Sequence, residues 1–178
     1  MKASERIVVD ERIDLAVADP RFAAELFAVI DRDRADLREW LSWVDGTLSV
    51  ADLRRYSRFS RSQFDAGGGF EYAIRLEGKL VGGIGFNALD RTNQSAAIGY
   101  WISPQARGNG IVTRAARTLT EYGFSSLGFE RIEIRCVVEN LRSRAVAERL
   151  GFALEGILRK SYLLHGAFRD LAVYGKTR

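Results

Sequence analysis

The chain has almost none of the residues that metal and disulfide chemistry require. It carries one cysteine, Cys136, and one histidine, His165, among 178 residues. A single thiol excludes an internal disulfide and a multi-cysteine metal centre, and a single imidazole excludes a histidine-rich zinc site, so no metal is expected. Only two prolines occur, and no linker, repeat or low-complexity tract divides the sequence. The longest apolar runs are a few residues, such as Cys136-Val137-Val138, far short of the ~20 that a membrane-spanning helix needs. The amino-terminal residues reach Asp10 and Glu11 before any apolar stretch, so no secretory signal is expected. A cytoplasmic protein without a membrane partner is the corresponding expectation.

What is present fits one globular unit. Hydrophobic residues make up 47% and charged residues 28%, close to the globular average and unlike a disordered chain. The length matches a single domain over residues 1–178, given the usual ~100–200 residues per domain. The net charge is +4, from 27 basic and 23 acidic residues. The two signs alternate, as in Asp31-Arg32-Asp33-Arg34, which reads as a solvated mixed surface and not as a nucleic-acid footprint.

Hydrophobic periodicity gives an alternating order of elements. Ile7, Val9, Ile13, Leu15 and Val17 alternate with other residues as one strand over 5–17. Asp19-Pro20 opens a helix with apolar positions Phe22, Leu26, Val29 and Ile30. A second helical piece carries Leu37, Trp40 and Leu41, and a third runs from Ser49 to Phe64. From Phe70 the period changes to two, predicting an antiparallel meander of three strands ending at Ile102. The stretch after Gly110 has the clearest helical pattern, with Val112, Ala115, Ala116 and Leu119 on one face and Gly128 beyond its end. A strand over Ile132–Val138, a short helix capped by Asn140, and two strands joined at His165-Gly166 complete an α/β domain with a mixed sheet of about seven strands.

Gln105-Ala106-Arg107-Gly108-Asn109-Gly110 falls between a predicted strand and the best predicted helix. A helix start offers unpaired N–H groups and partial positive charge, which suit phosphate or pyrophosphate. Gly108 and Gly110 remove side chains from the approach, and Arg107 can add a charge-assisted bond. A Walker loop is excluded because Ile111-Val112 follows Gly110 where Lys-Ser/Thr is needed. A dinucleotide fingerprint fails because Thr113 stands at the third small position. Gly83-Ile84-Gly85 lies inside a meander strand with no helix behind it and reads as packing.

Gln105–Gly110 resembles the Gln/Arg-x-x-Gly-x-Gly/Ala pyrophosphate loop of the GNAT acyl-CoA N-acyltransferases. The resemblance covers nearly the whole chain. It takes in Ile98–Ile102 before the loop, Val138–Ser143 after the next strand, Glu148–Phe152 and Leu154-Glu155-Gly156. Leu37–Val44 resembles the RimJ/RimL-type branch, which acetylates ribosomal-protein N-termini. The resemblance implies a mixed, mostly antiparallel seven-stranded sheet flanked by about four to five helices, with two central parallel strands splayed apart. It implies acetyl-CoA as co-substrate, held by Trp101 and Ile102, by Gln105, Arg107, Gly108, Asn109, Gly110, Ile111 and Val112, and by Asn140 and Ser143.

The implied reaction moves an acetyl group from a thioester to a primary amine, most directly a protein N-terminus. A polyamine or aminoglycoside acceptor, or a non-catalytic acyl-CoA-binding module, are the competing readings. A homodimer is left open. Many relatives place a tyrosine in the helix after Asn140, but Leu141–Leu150 has none. Ser143 takes the thiol-side hydrogen-bonding position, and Glu155 matches the family's base for the amine. Trp40 and Trp43 are expected to line the acceptor groove or pack in the core. Cys136 falls on an apolar strand face and is expected to be buried and inert. His165 is expected to serve the turn.

Overall fold

The chain reverses direction inside the segment expected to form a single first strand. Asp10 Oδ1 accepts from the N–H groups of Arg12 and Ile13, both at 2.9 Å, an aspartate-centred turn. It separates β1 (Arg6–Val8) from β2 (Ile13–Val17). Paired residues such as Ile7 and Leu15 share parity, so the turn leaves the apolar alternation unbroken. The sheet therefore has eight strands, one more than expected. The computed structural model describes residues 3–178.

Asp19 caps the next segment by accepting from the Arg21 N–H at 2.8 Å, and α1 (Ala23–Arg32) follows a short 3-10 turn. The second expected helix is shorter than its apolar pattern. α2 (Arg34–Arg38) stops before Trp40, and 42–46 forms a 3-10 turn. The Arg34 guanidinium donates to the carbonyls of Val44 at 2.7 Å and Thr47 at 2.8 Å, folding this segment back over α2. Ser49 accepts from the Asp52 N–H at 3.2 Å and starts α3 (Val50–Asp65).

The meander is β3 (Phe70–Leu76), β4 (Lys79–Asp90) and β5 (Ser95–Ile102). It is followed by α4 (Ile111–Ser125), β6 (Arg131–Val137), α5 (Leu141–Arg149), β7 (Ala153–Leu164) and β8 (Ala167–Thr177). His165 and Gly166 both have positive φ, +49° and +78°, the conformation a two-residue type I′ hairpin demands.

The strand order is β1-β2-β3-β4-β5-β6-β8-β7. Every neighbouring pair is antiparallel except β5 and β6, which α4 connects as a crossover. Their pairing begins at Ser95–Arg131 and ends at Ile98–Ile134, although both strands continue. Past that point β5 stays with β4 and β6 stays with β8, so the two central strands splay apart.

Each sheet face has its own core. Ile84, Phe86, Ile98, Ile132 and Ile134 pack with Ala115, Ala116 and Leu119 of α4 and Val146 and Ala147 of α5. On the other face Ala73 and Leu80 meet Leu26 and Ile30 of α1, Leu37 of α2 and Leu53 of α3. The splay lies between these two layers.

Candidate active site

A cavity of about 1040 Å³ extends from the splay to the face covered by α1 and α3. One cavity thus reaches Tyr100, Cys136, Asn140 and Ser143 at the split strands and Trp43 and Tyr56 on the helical side. Facing backbone of 99–102 and 135–137 has no strand partner across the gap. Backbone groups left this way need an outside partner, and a linear amide-containing arm is a suitable one.

The loop leading into α4 has the geometry its glycines foretell. Gly108 and Gly110 have φ of +80° and +66°, and Gly110 is the N-cap of α4 with no side-chain cap. The first intrahelical bond is donated by the Arg114 N–H to the Gly110 carbonyl at 3.0 Å, so the N–H groups before it have no partner within the helix. No heavy atom lies within 4 Å of a Cβ built at Gly108 or Gly110. That open space beside uncapped N–H groups fits a pyrophosphate, with Asn109, Ile111 and Val112 supplying neighbouring backbone.

Arg107 departs from its expected use. Its guanidinium forks onto the Asp36 carboxylate of α2, with Nη1 to Oδ2 at 2.9 Å. It ties the loop to α2 and is committed before any phosphate arrives. Gln105 lies in the 3-10 turn 104–106 ahead of the glycines.

Asn140 and Ser143 meet at the start of α5. The Asn140 side-chain carbonyl accepts from the Ser143 N–H at 3.1 Å, a helix cap that aims Ser143 into the cavity. Ser143 Oγ lies 2.9 Å from the Tyr100 hydroxyl, which also donates to the Ser143 carbonyl at 3.1 Å. Burial pushes the Tyr100 phenol well above its ordinary range, so it keeps its proton at neutral pH. Burial likewise raises the Cys136 thiol, with Ser143 opposing through a hydrogen bond. Tyr100, Ser143 and Cys136 form one hydroxyl–thiol cluster, whose tyrosine comes from β5 and not from α5. Alternation along β5 places Tyr100 on the α5 side with Ile98, and that was the available signal.

Trp40, Trp43 and Trp101 all line the cavity. Trp43 meets Trp101 edge to face, with ring centroids 6.0 Å apart. The Trp101 indole lies over Gly83, where a Cβ would come within 2.5 Å of Nε1. Tyr56 and Phe59 of α3 extend the aromatic wall and are more than half exposed. These two α3 aromatics had no distinguishing sequence context.

Glu155 is placed elsewhere. It sits at the β7 bulge between Leu154 and Gly156, over Gly175 of β8, and does not line the cavity. Arg131, the first residue of β6, donates Nη1 to its Oε1 at 2.8 Å. That bond holds the carboxyl below its ordinary range, the reverse of what a base for an amine needs. Arg131 stands three residue steps along β6 from Ile134, the last paired residue before the splay, roughly 10 Å at strand rise. Ser143 lines the cavity, whereas Glu155, expected as the base for the amine, does not.

A carboxylate that sequence reasoning passed over does line the cavity. Glu71 of β3 lies over Gly85 of β4, where a Cβ would meet its Cδ and Oε2 at 2.6 Å. Its side chain borders the cavity, and burial pushes its pKa up to about 7. No hydrogen bond or ion pair holds it among the described residues. In sequence it looked like the polar half of an ordinary alternating strand.

His165 fastens the β7–β8 hairpin tip. Its Nε2 donates to the Arg38 carbonyl at 2.6 Å, and Nδ1 lies 3.1 Å from Asp45 Oδ2. Beside it the Tyr162 hydroxyl accepts from the Ser42 N–H at 3.3 Å. Together these contacts strap the hairpin across the segment that carries Trp40 and Trp43.

A split parallel pair followed by an uncapped, glycine-lined helix start defines an acyl-CoA-type transferase scaffold. Residues 12–153 match the family model described as acetyltransferase (GNAT) domain, and the chain belongs to that family. It is 36% identical over 168 residues to a putative ribosomal N-acetyltransferase of Bacillus subtilis, covering 93% of this chain and 91% of that one. It is 30% identical over 173 residues to the ribosomal-protein-serine acetyltransferase of Escherichia coli, covering 97% of both. Among solved structures it resembles the microcin C7 self-immunity acetyltransferase in complex with acetyl-CoA and AMP. That likeness has a TM-score of 0.94 and 31% identity, over 99% of this chain and 98% of that one.

Proposed function

We propose that the chain transfers an acetyl group from acetyl-CoA to the N-terminal α-amine of a protein, a ribosomal protein in the first instance, in the cytoplasm. The observation that carries this is the single cavity joining the splayed strands to an open, aromatic-walled mouth. One space of this kind lets a thioester and an amine meet. The two curated relatives, both named for ribosomal-protein acetylation and matched along nearly their whole length, support the acceptor class.

The reaction asks little of the chain beyond positioning and proton transfer. The split strands suit the pantetheine arm, with Trp101, Ile102 and Asn140 around it, and the Gly108–Val112 segment suits the pyrophosphate. The amine lone pair adds to the thioester carbonyl carbon, the C–S bond breaks, and the CoA sulfur leaves. Ser143, hydrogen-bonded to the protonated Tyr100, supplies the proton that this sulfur takes up. A peptide α-amine has an unperturbed pKa of about 7.7–8.0, against about 10.4 for lysine. A site whose wall carries one unpaired carboxylate, Glu71, is better matched to the α-amine, which needs less help from a base.

A second reading has its own support. The wall of Trp43, Tyr56 and Phe59 would stack on a planar ring, and the similar microcin-immunity structure contains AMP. An amine carried on a nucleotide-like molecule is therefore the main competitor. A polyamine fits less well, because among the described residues Asp52 and Glu71 are the only carboxylates on the cavity wall and Asp52 is already bonded to Arg55.

The test is acetyl-CoA turnover with three acceptor sets: short peptides with free N-terminal Ser or Ala, the same peptides N-terminally blocked but carrying lysine, and small amines including aminoacyl nucleotides. Preference for the free N-termini is expected. Preference for the blocked lysine peptides overturns the reading, and turnover of aminoacyl nucleotides alone replaces it with the second.

A further inference from the structure

We propose that Glu71 is the group that takes the proton from the incoming amine. The proposal rests on the acetyltransferase reading above and adds to it a catalytic residue on β3, three strands from β6.

The sheet face beneath the cavity is nearly bare along one line. Glu71 of β3 pairs with Gly85 of β4, and Gly85 pairs with Gly99 of β5. The Glu71 carboxylate lies over Gly85, with no side chain beneath it. From there one strand spacing, roughly 4.8 Å, leads to Gly99, the first β5 residue beyond the last β5–β6 pair. A nitrogen, or a nitrogen and one water, fits that interval. The Asn87 amide stands beside it, since a Cβ on Gly99 would meet Asn87 Nδ2 at 2.7 Å.

The carboxylate is also unspent. The other titratable and charged groups lining the cavity are Asp52, Arg55 and Tyr56 of α3, Tyr72 of β3, Tyr100 of β5, Arg135 and Cys136 of β6, and Tyr162 of β7. Asp52 is bonded to Ser49 and Arg55 and lies below its ordinary range. Arg135 is paired with Glu133. Burial pushes the Tyr56 phenol up to about 12 and raises Tyr72, Tyr100 and Cys136, and the Tyr162 hydroxyl is bonded to Ser42. Among the described residues no unpaired carboxylate other than Glu71 lines the cavity. Glu71, at about 7, lies close to the ~7.7–8.0 of an N-terminal ammonium, the match that general-base transfer favours.

The protons balance. A Glu71 oxygen first takes one proton from the N-terminal ammonium, and the freed lone pair adds to the carbonyl carbon. The C–S bond then breaks, and the sulfur takes a proton from the Ser143–Tyr100 pair, which regains one as the new amide nitrogen sheds its surplus proton through solvent. Glu71 releases its proton to solvent through the cavity mouth.

The test is Glu71→Gln in the full chain, read by kcat against pH with an N-terminal Ser peptide and by acetyl-CoA affinity in calorimetry. Expected is a 10²–10⁴-fold fall in kcat, the range typical of general acid–base groups, with acetyl-CoA affinity unchanged. The loss should shrink at high pH, where the amine arrives neutral. Glu71→Asp, one methylene shorter, should restore part of the rate together with a pH dependence near neutrality. Wild-type kcat and pH profile in Glu71→Gln would overturn the assignment while leaving the acetyltransferase reading standing. Equal loss in Glu71→Gln and Glu71→Asp with unaltered pH profiles would also overturn it, making Glu71 a wall residue. No turnover of any amine by the unaltered protein would overturn the functional reading and this assignment with it.

Discussion

Replacing Glu71 with glutamine is expected to change stability in a pH-dependent way that can be calculated without reference to catalysis. The buried carboxyl has a pKa of about 7 in the folded chain against 4.5 for the free group. The folded state therefore binds this proton more tightly than the unfolded state does. The favourable contribution of protonated Glu71 is complete below about pH 4.5 and fades as pH rises to about 7. Above that it is absent, because folding must then either bury the charge or retain the proton. A difference of 2.5 between the two values corresponds to on the order of 3 kcal/mol. Glutamine has nearly the same shape and no charge, so wild type should lose that amount relative to Glu71→Gln between pH 4.5 and 8.5. Urea unfolding of both proteins at those two pH values measures it, and other titrating groups cancel because both chains share them. A stability difference independent of pH would refute the reasoning, since it would mean that the carboxylate is adequately solvated by the cavity.

The remaining predictions concern the other parts of the site. Gly110→Ala places a methyl at a φ of +66° in open space; a stability loss of about 1–2 kcal/mol and at least about tenfold weaker acetyl-CoA binding are expected in unfolding and calorimetry. Gly110→Val is a poorer test, because a β-branched residue strains the backbone at that φ whatever the ligand does. Ser143→Ala and Tyr100→Phe should each lower kcat with little change in acetyl-CoA affinity, and the double variant should lose much less than the product of the two, showing that they act as one unit. Glu155→Gln breaks an exposed pair with Arg131; kcat should be unchanged and stability should fall by no more than about 1 kcal/mol in the same assays.

Much of the architecture was legible because local chemistry and period agree along the chain. The capping residues Asp19, Ser49 and Asn140 all cap, and His165-Gly166 adopts the turn its residue types favour. Gly108 and Gly110 take the positive φ that made the loop conspicuous. Such features depend on neighbours within a few residues, and sequence displays those neighbours directly. The first hairpin escaped notice because its register preserves parity. The second helix broke early because the Arg34 guanidinium captures carbonyls ten and thirteen residues away.

The proton-transfer groups were decided by tertiary structure. Sequence set the residue types and the loop, and so the class of chemistry, since glycines at a helix start suit pyrophosphate in any setting. It could not say which carboxylate is paired. Glu155 drew attention through its neighbours in sequence, yet Arg131, 24 residues away, holds it in an ion pair. Glu71 reads in sequence as any polar residue of an amphipathic strand, and only the fold lays its side chain over Gly85 in the cavity wall without giving it a partner. Burial and pairing fix a carboxylate's pKa, and both come from residues that only folding brings together.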